Sequence, residues 1–374
     1  MIKNIALVFS LVFMMGCSSS DDSGAGGGGA TDDFDRSALL TNLADNIIIP
    51  SYQDFGPKLT TLKGSIESFV ATPNQSTLQT ARRHWLIAYK AWQHVEMFNI
   101  GKAEALNEYH FFMNIYPVTI SDIETGVSTG NYDLNTPNYH DAQGFPALDY
   151  LLYGVADDDA GIVAKFSSDA NAQGYKDYLT DVINQMDNLT QQVITDWTTG
   201  YRDQFVNSSK NTATSSLNKF VNDFIFYYEK GLRANKIGIP AGVFSTTPLA
   251  DKVEGYYNGE VSKELALEAL NAVQDVFNGK AFSGSATGAS FKTYLEYLKV
   301  DRNGQNLSAI INAQFNEART KIQELNSNFS QQIITDNTKM TVAYDALQRA
   351  VVYLKVDMVQ AFNISVDYVD ADGD

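Results

Sequence analysis

The apolar residues of this chain recur at three- and four-residue steps along most of its length. Such steps place apolar side chains on one face of an α-helix. No stretch shows sustained alternation of apolar and polar residues between turn signals, so we expect no sheet. The sequence predicts an all-α fold of long helices packed in bundles. The clearest stripe consists of Leu78, Ala81, Trp85, Tyr89, Trp92, Glu96 and Asn99, and a second of Leu217, Phe220, Val221, Phe224, Tyr228, Gly231 and Asn235.

A weak internal repeat indicates that the fold consists of two related bundles packed together. Residues 77–100 and 341–364 align without gaps, and both end in Phe-Asn-Ile. We therefore expect an N-terminal bundle over residues 34–240 and a C-terminal bundle over residues 241–374. The boundary falls in the loop at 238–250, where glycine and proline interrupt the helical pattern.

The first 17 residues are typical of a bacterial lipoprotein signal. Lys3 provides a positive start, and the apolar run from Ile5 to Met15 is too short to span a bilayer as a helix. Cys17 is the expected lipidated residue, and residues 18–33 are rich in Ser, Asp and Gly, which is typical of a flexible tether. The alternative is an uncleaved anchor. The sequence thus predicts an outer-membrane lipoprotein of a Gram-negative-type cell envelope, facing the periplasm or the cell surface.

The charge of the chain narrows the range of partners. Its net charge is −17, which argues against binding to nucleic acid or to an anionic lipid surface. The expected partners are the membrane, through the lipid on Cys17, and a metal ion or an envelope protein. Because Cys17 is the sole cysteine, intramolecular disulfides and cysteine-based zinc sites are excluded.

Glu96 is the strongest candidate for a functional side chain on physical grounds. It falls on the same helical stripe as Trp85 and Trp92. A carboxylate on an apolar face must be neutralised, paired or bound to a cation, because burying it alone costs several kcal/mol. Glu96 is therefore either a site residue or the partner of an arginine, with Arg82 and Arg233 as candidates.

Familiar hydrolase motifs are missing from the sequence. It contains no His-Glu-x-x-His, no Gly-x-Ser-x-Gly and no phosphate-binding glycine loop. None of the four histidines, which are His84, His94, His110 and His140, lies three or four residues from another. Serine-nucleophile catalysis and a histidine-pair metal site on one helix are therefore not indicated.

The run from Gly144 to Gly154, GFPALDYLLYG, resembles the signature of the imelysin family, bacterial envelope proteins also classed as M75 peptidases. In that family the run is Gly-x-His-x-x-Glu followed by Tyr-Leu-Leu-x-Gly. Further similar segments lie before and after this run, from Ala81 to Asp357, in the same order as in the family, and together they cover nearly all of the chain after the tether. The resemblance implies two related helical bundles with the signature near their junction.

Two chemical positions of the signature differ in this chain. Pro146 stands where the family has His, and Asp149 stands where it has Glu. In the family pattern these side chains could share a metal or a proton, whereas proline has no lone pair to offer. Pro146 would then begin a helix, with Asp149 as a first-turn acid that favours the helix dipole. The functional alternative keeps Asp149 as an oxygen ligand with Glu96, and His140 could replace the lost side chain from the preceding loop.

The other similar segments contribute residues that we expect to support the site. Arg233 and Lys236 lie near a predicted helix end, where cations commonly complement the dipole. Alternatively, Arg233 orients Glu96 or Asp149. The complete supporting set is Trp92, Arg233, Lys236, Glu254 and Tyr256.

Three functions compete at this point. The first is a non-catalytic envelope binding protein linked to iron or metal uptake, which the resemblance and the lost His favour. The second is an M75-type metallopeptidase. This function is disfavoured, because hydrolytic zinc usually needs three protein ligands and Pro146 removes one of them. The third is a module that docks an envelope protein. The sequence does not identify a cofactor. An iron ion or another divalent cation is one possibility, no cofactor is the other, and zinc is disfavoured.

Overall fold

Helices dominate the computed structural model, which describes residues 32–106 and 109–367. The prediction of an all-α fold is confirmed. The lipoprotein signal, Cys17 and nearly all of the tether lie outside the described residues. The α-helices are α1 (Arg36–Asn42), α2 (Ile49–Ala71), α3 (Gln75–Trp92), α4 (Lys102–Ala105), α5 (His110–Met113), α6 (Ile120–Thr129), α7 (Gly144–Asp149), α8 (Asp159–Lys165), α9 (Ala172–Asp196), α10 (Arg202–Asn207), α11 (Ser216–Phe226), α12 (Ser262–Asn278), α13 (Phe291–Tyr297), α14 (Leu307–Gln323), α15 (Phe329–Val352) and α16 (Val359–Phe362).

Several of these helices join wider π-helical turns, which are rare in globular proteins and frequent at functional sites. The longest π-helical stretch continues α11 without a break, and another continues α7 through the second half of the signature. The π-helical stretches are Leu43–Ile48, Tyr150–Gly154, Trp197–Tyr201, Tyr227–Gly238 and Tyr353–Met358, and a 3-10 helix spans Pro137–Ala142.

Within residues 32–106 and 109–367, the expectation of no sheet was wrong at one short hairpin. Strand β1 (Asp301–Arg302) pairs antiparallel with β2 (Gln305–Asn306). Asn303 and Gly304 form the turn, and both have positive φ angles of 54° and 77°. Asn-Gly is the preferred pair for such two-residue turns. The strands are too short to produce an alternating pattern, so only the turn residues signal them.

Two groups of helices carry the core. In the first group, α2 packs against both α3 and α9. In the second, α15 packs against α14 and the π-helical stretch 227–238, and α12 packs against α14. Helix α12 also contacts α3, where Lys90 lies 2.5 Å from Glu264. The described residues from Asp33 onward form one compact unit. A duplicated origin with a boundary at residue 240 stays a prediction.

Local signals explain where α3 begins. The Asn74 side chain accepts hydrogen bonds from the backbone N–H groups of Ser76 and Thr77, and the Thr77 side chain returns a bond to the Asn74 backbone. This reciprocal cap satisfies donors that the first helical turn leaves unpaired. The interruption expected at residues 72–74 is therefore the start of the helix that leads to Glu96.

No helix in the described part of the chain is long and apolar enough to cross a membrane.

Candidate functional site

Glu96 lies at the centre of a buried polar cluster just beyond the end of α3. Its Oε1 accepts a hydrogen bond of 2.7 Å from Asn114 Nδ2, and its Oε2 accepts one of 3.1 Å from the Tyr227 hydroxyl. Lys236 Nζ is 3.6 Å from the same Oε2. The cation beside Glu96 is therefore Lys236. Of the two arginines considered from the sequence, Arg82 pairs with Asp159 at 2.7 Å instead.

Glu254 brings a second carboxylate to this cluster. Lys236 Nζ donates to both of its oxygens, at 2.8 and 2.7 Å. Gln93 Nε2 and Asn114 Nδ2 also donate to Glu254 Oε1, at 3.1 and 2.9 Å. Glu254 and Lys236 are only 1% and 2% exposed. We call Glu96, Asn114, Tyr227, Lys236 and Glu254 the Lys236 centre.

The charges of the Lys236 centre do not balance on their own. Two carboxylates share one ammonium group. Burial raises the pKa of Glu96 and the nearby Glu254 charge raises it further, whereas Lys236 and the Asn114 hydrogen bond oppose the shift. The centre therefore favours a proton or an additional hydrogen-bond donor near Glu96.

The π-helical stretch explains how Tyr227 and Lys236 reach the same carboxylate. They are nine residues apart, which is two and a half turns of an α-helix at 3.6 residues per turn and would place them on opposite faces. The wider π turns bring both to one side, since both approach Glu96. An α-helical period selects Tyr228 instead, and Tyr228 is a core residue that donates to the Leu347 carbonyl.

A cavity of about 490 Å³ opens beside the Lys236 centre. Glu96, Asn114 and Tyr227 lie on its wall, and the Glu96 side chain is 11% exposed. Lys230 and Lys252 also line it. This volume is within the range of small-molecule sites. The aromatic lining residues are Phe111, Tyr116, Phe226 and Tyr227, and the carboxamides are Asn99, Asn114, Asn222 and Asn235.

Asp149 holds a neighbouring loop by its backbone. Its Oδ2 accepts a hydrogen bond of 2.8 Å from the Tyr257 N–H, and its Oδ1 accepts one of 2.9 Å from the Asn258 N–H. Burial raises the pKa of Asp149 to about 7, although these two bonds act in the opposite direction. Both oxygens thus face the loop that begins at Glu254. Asp149 is the sixth residue of α7, so its carboxylate lies beyond the first turn in which the sequence placed it.

The glycines of the signature allow close backbone approaches. Gly144 has a φ of +75°, and a Cβ at this position would lie 2.3 Å from the Met113 carbonyl oxygen. Met113 directly precedes Asn114 of the Lys236 centre. A Cβ at Gly154 would lie 2.3 Å from the Tyr257 ring. The signature helix thus packs against both segments that deliver Asn114 and Glu254.

Pro146 is the third residue of α7 and is buried. The helix begins two residues earlier, at Gly144, because the positive φ of this glycine lets the chain turn into the helix. Pro146 lies in the first turn, where a missing N–H leaves no helical hydrogen bond unmade.

The other residues singled out from the sequence lie in separate environments. Arg233 donates to the Tyr344 hydroxyl at 2.5 Å and to Gln348, and it is 3.4 Å from Glu229. Arg233, Glu229 and Tyr344 are buried. The structure therefore brings Lys236 and Glu254 to Glu96 and places Arg233 in a second polar group.

Three further candidates make aromatic contacts in this arrangement. The Trp92 ring is fully buried and packs against Phe55, Tyr109 and Phe145. The His140 ring packs against Phe111 and Phe112. Tyr256 is 40% exposed and contacts the Tyr257 ring edge-on.

Asn114 and Tyr227 are central residues that sequence reasoning missed. Asn114 follows the four-residue helix α5 and bonds a carboxylate 140 positions away, so no local pattern marks it. The described residues contain no group of three or more His, Cys, Asp or Glu side chains placed to hold a metal ion.

Comparisons with known proteins agree with this fold. The model of the M75 peptidase family, described as Imelysin, matches residues 48–357. Iron-regulated protein A of Synechococcus elongatus is 24% identical over 125 residues, which are 32% of this chain and 34% of that protein. The chain thus matches about a third of the length of this relative.

Two solved structures are similar over most of both chains. An imelysin-like protein from Psychrobacter arcticum has a TM-score of 0.67 at 16% identity, covering 89% of this chain and 97% of that one. A protein from Parabacteroides distasonis, described as an iron-regulated protein A precursor, has a TM-score of 0.70 at 17% identity with the same coverage. At these identities the similarity shows a shared fold.

Proposed function

This chain belongs to the imelysin family, and we propose that it is a non-catalytic binding protein of the cell envelope whose small ligand enters the cavity beside Glu96. The single observation that carries the proposal is the cavity itself. It combines aromatic walls with a carboxylate that is mostly buried and still reaches the cavity surface. Most small-molecule sites combine apolar walls with a few polar groups in this way.

A link to iron supports the role that we propose for the ligand. The names of one relative and one structural neighbour describe them as iron-regulated. Lys236 takes the place between Glu96 and Glu254 that a bare cation would need. We therefore favour a small organic molecule or a chelated metal over a free ion, and a role in iron or metal uptake.

The environment of the signature supports a non-catalytic role. A hydrolytic zinc ion usually needs three protein ligands and a water. Pro146 offers no ligand atom, and both Asp149 oxygens accept backbone hydrogen bonds. Peptidase assays with and without chelator test this part. Cleavage that chelator inhibits and that Asp149→Ala abolishes would contradict it.

Ligand binding can be tested without knowing the ligand. The mature chain is isolated from its native envelope after growth with limiting and with ample iron, and native mass spectrometry measures any bound small molecule. We expect an adduct that Glu96→Gln loses. Glu124→Gln is the matched control, because Glu124 accepts hydrogen bonds from Tyr150 and Tyr175 and does not line the cavity. An adduct that is absent under both conditions, or that Glu96→Gln retains, contradicts the proposal.

Envelope anchoring is the remaining part of the proposal. The sequence of residues 1–17 supports lipidation at Cys17. Labelling with a radioactive fatty acid should mark the full chain and should not mark Cys17→Ser. A Cys17→Ser chain that carries the label or stays in the membrane fraction would contradict lipid anchoring through this residue.

A further inference from the structure

Lys236 holds its ammonium group in the position that a small cation would occupy between two carboxylates. Its Nζ is within 2.8 Å of both Glu254 oxygens and 3.6 Å from Glu96 Oε2. We propose that Glu96 and Glu254 form an oxygen-lined site for a hard divalent cation, and that Lys236 fills this site permanently as a tethered cation. The inference rests on the proposed function, which places a binding site beside Glu96. It goes beyond that function because it assigns Lys236 the position of a bound cation.

A second observation supports a cation site rather than a mere cluster of acids. Gln93 is fully buried, and its Nε2 donates to Glu254 Oε1. Its Oε1 is buried without a hydrogen-bond partner in the described part of the chain. Buried amide oxygens are nearly always bonded, and amide oxygens are ordinary ligands of hard cations. The side chain that already points at Glu254 therefore carries a spare oxygen of the kind such a site uses.

The geometry also explains why Lys236 fits this position. Bidentate coordination by a carboxylate is common for Ca²⁺, which takes six to eight oxygens at about 2.3–2.6 Å. An ammonium group is a compact point charge with three donors. Here it bonds both Glu254 oxygens and lies near Glu96, so it takes the central position of an ion and supplies one of the two positive charges that a divalent cation would bring. A bare ion could enter only after Lys236 had left.

Lys236→Ala in the mature chain tests the proposal, with Mn²⁺ as the probe. Electron paramagnetic resonance should show one bound Mn²⁺ in this variant and at least tenfold weaker binding in the wild type. The double variant Lys236→Ala/Glu254→Gln should lose affinity about tenfold, since one charged ligand interaction is worth that much. Lys63→Ala is the matched control, because Lys63 pairs with a different carboxylate, that of Asp187. It should not gain a site.

Each result decides the matter. A folded Lys236→Ala chain that binds no Mn²⁺ overturns the proposal, and so does wild-type binding that is as tight as that of Lys236→Ala. If Lys236→Ala is unfolded without metal, Mn²⁺ should restore its helical circular dichroism, and failure to do so counts against the proposal. This Mn²⁺ test is separate from the test of the proposed function. Whether or not Lys236→Ala binds Mn²⁺, the wild-type chain can carry or lack the small-molecule adduct that depends on Glu96.

Discussion

Asp149→Asn should remove a fall in the free energy of unfolding that wild type shows as pH rises, because the substitution removes a buried carboxyl group that titrates. Burial raises the Asp149 pKa from 3.8 to about 7 in the folded chain. The folded state therefore binds more protons than the unfolded state between these values. By linkage, the free energy of unfolding falls as pH rises through this window. The variant has no titrating group at this position and lacks this fall.

The size of the effect follows from the two pKa values. From pH 5 to pH 8, a carboxyl group with a pKa of 3.8 unfolded and about 7 folded lowers the free energy of unfolding by about 2.5 kcal/mol. At pH 5 the folded Asp149 is protonated, so Asn and the carboxyl group each offer one carbonyl oxygen to the Tyr257 and Asn258 N–H groups, and only the ionised carboxylate at pH 8 accepts both bonds in full. The free energy of unfolding of the variant, relative to that of wild type, should thus rise by about 2.5 kcal/mol from pH 5 to pH 8.

Urea unfolding of both chains at pH 5 and pH 8 provides the measurement. Asp159→Asn is the control, because Arg82 lowers the Asp159 pKa and its contribution is constant in this range. A difference between Asp149→Asn and wild type that is the same at both pH values would refute the reasoning. So would a change of opposite sign, which would mean that the two backbone hydrogen bonds outweigh burial.

Two further substitutions test the packing around the Lys236 centre. Gly144→Ala should lower the free energy of unfolding by about 2–5 kcal/mol, because the new Cβ meets the Met113 carbonyl and φ is positive. Gly130→Ala is the control. Gly130 has a similar φ and open space around it, so this substitution should cost only about 1–2 kcal/mol. Equal costs in urea unfolding would contradict the close approach. Tyr227→Phe removes a donor to Glu96 and should raise its pKa further, measured from the carboxyl ¹³C shift; an unchanged or lower pKa would contradict the hydrogen bond.

The sequence predicted the elements that local periodicity controls. The stripe through Trp85, Tyr89 and Trp92 is buried, as a regular α-helix requires. The same reasoning chose Tyr228 over Tyr227, because it assumed 3.6 residues per turn where the chain forms π turns. A change of helical period depends on tertiary packing and leaves no clear mark in the local pattern.

The candidate site was predictable only in part. A carboxylate on an apolar stripe needs a partner, and Glu96 has one in Lys236. The expected partner was an arginine, Arg82 or Arg233, whereas the cation beside Glu96 is Lys236, which is near the same predicted helix end as Arg233. Asn114 reaches the site through a long-range contact that Gly144 permits. Such partners follow from the fold, whereas the sequence shows only that one is needed.

The most direct test of the account is a crystal structure of the mature chain grown with excess Fe²⁺ and measured at the iron absorption edge. The account predicts no anomalous peak at Glu96, Glu254 or Asp149, with Lys236 Nζ bonded to both Glu254 oxygens. Crystals of Lys236→Ala prepared in the same way should show a peak between Glu96 and Glu254. An iron ion bound to Glu96 and Asp149 in the wild-type chain, or one that displaces Lys236, would contradict the account.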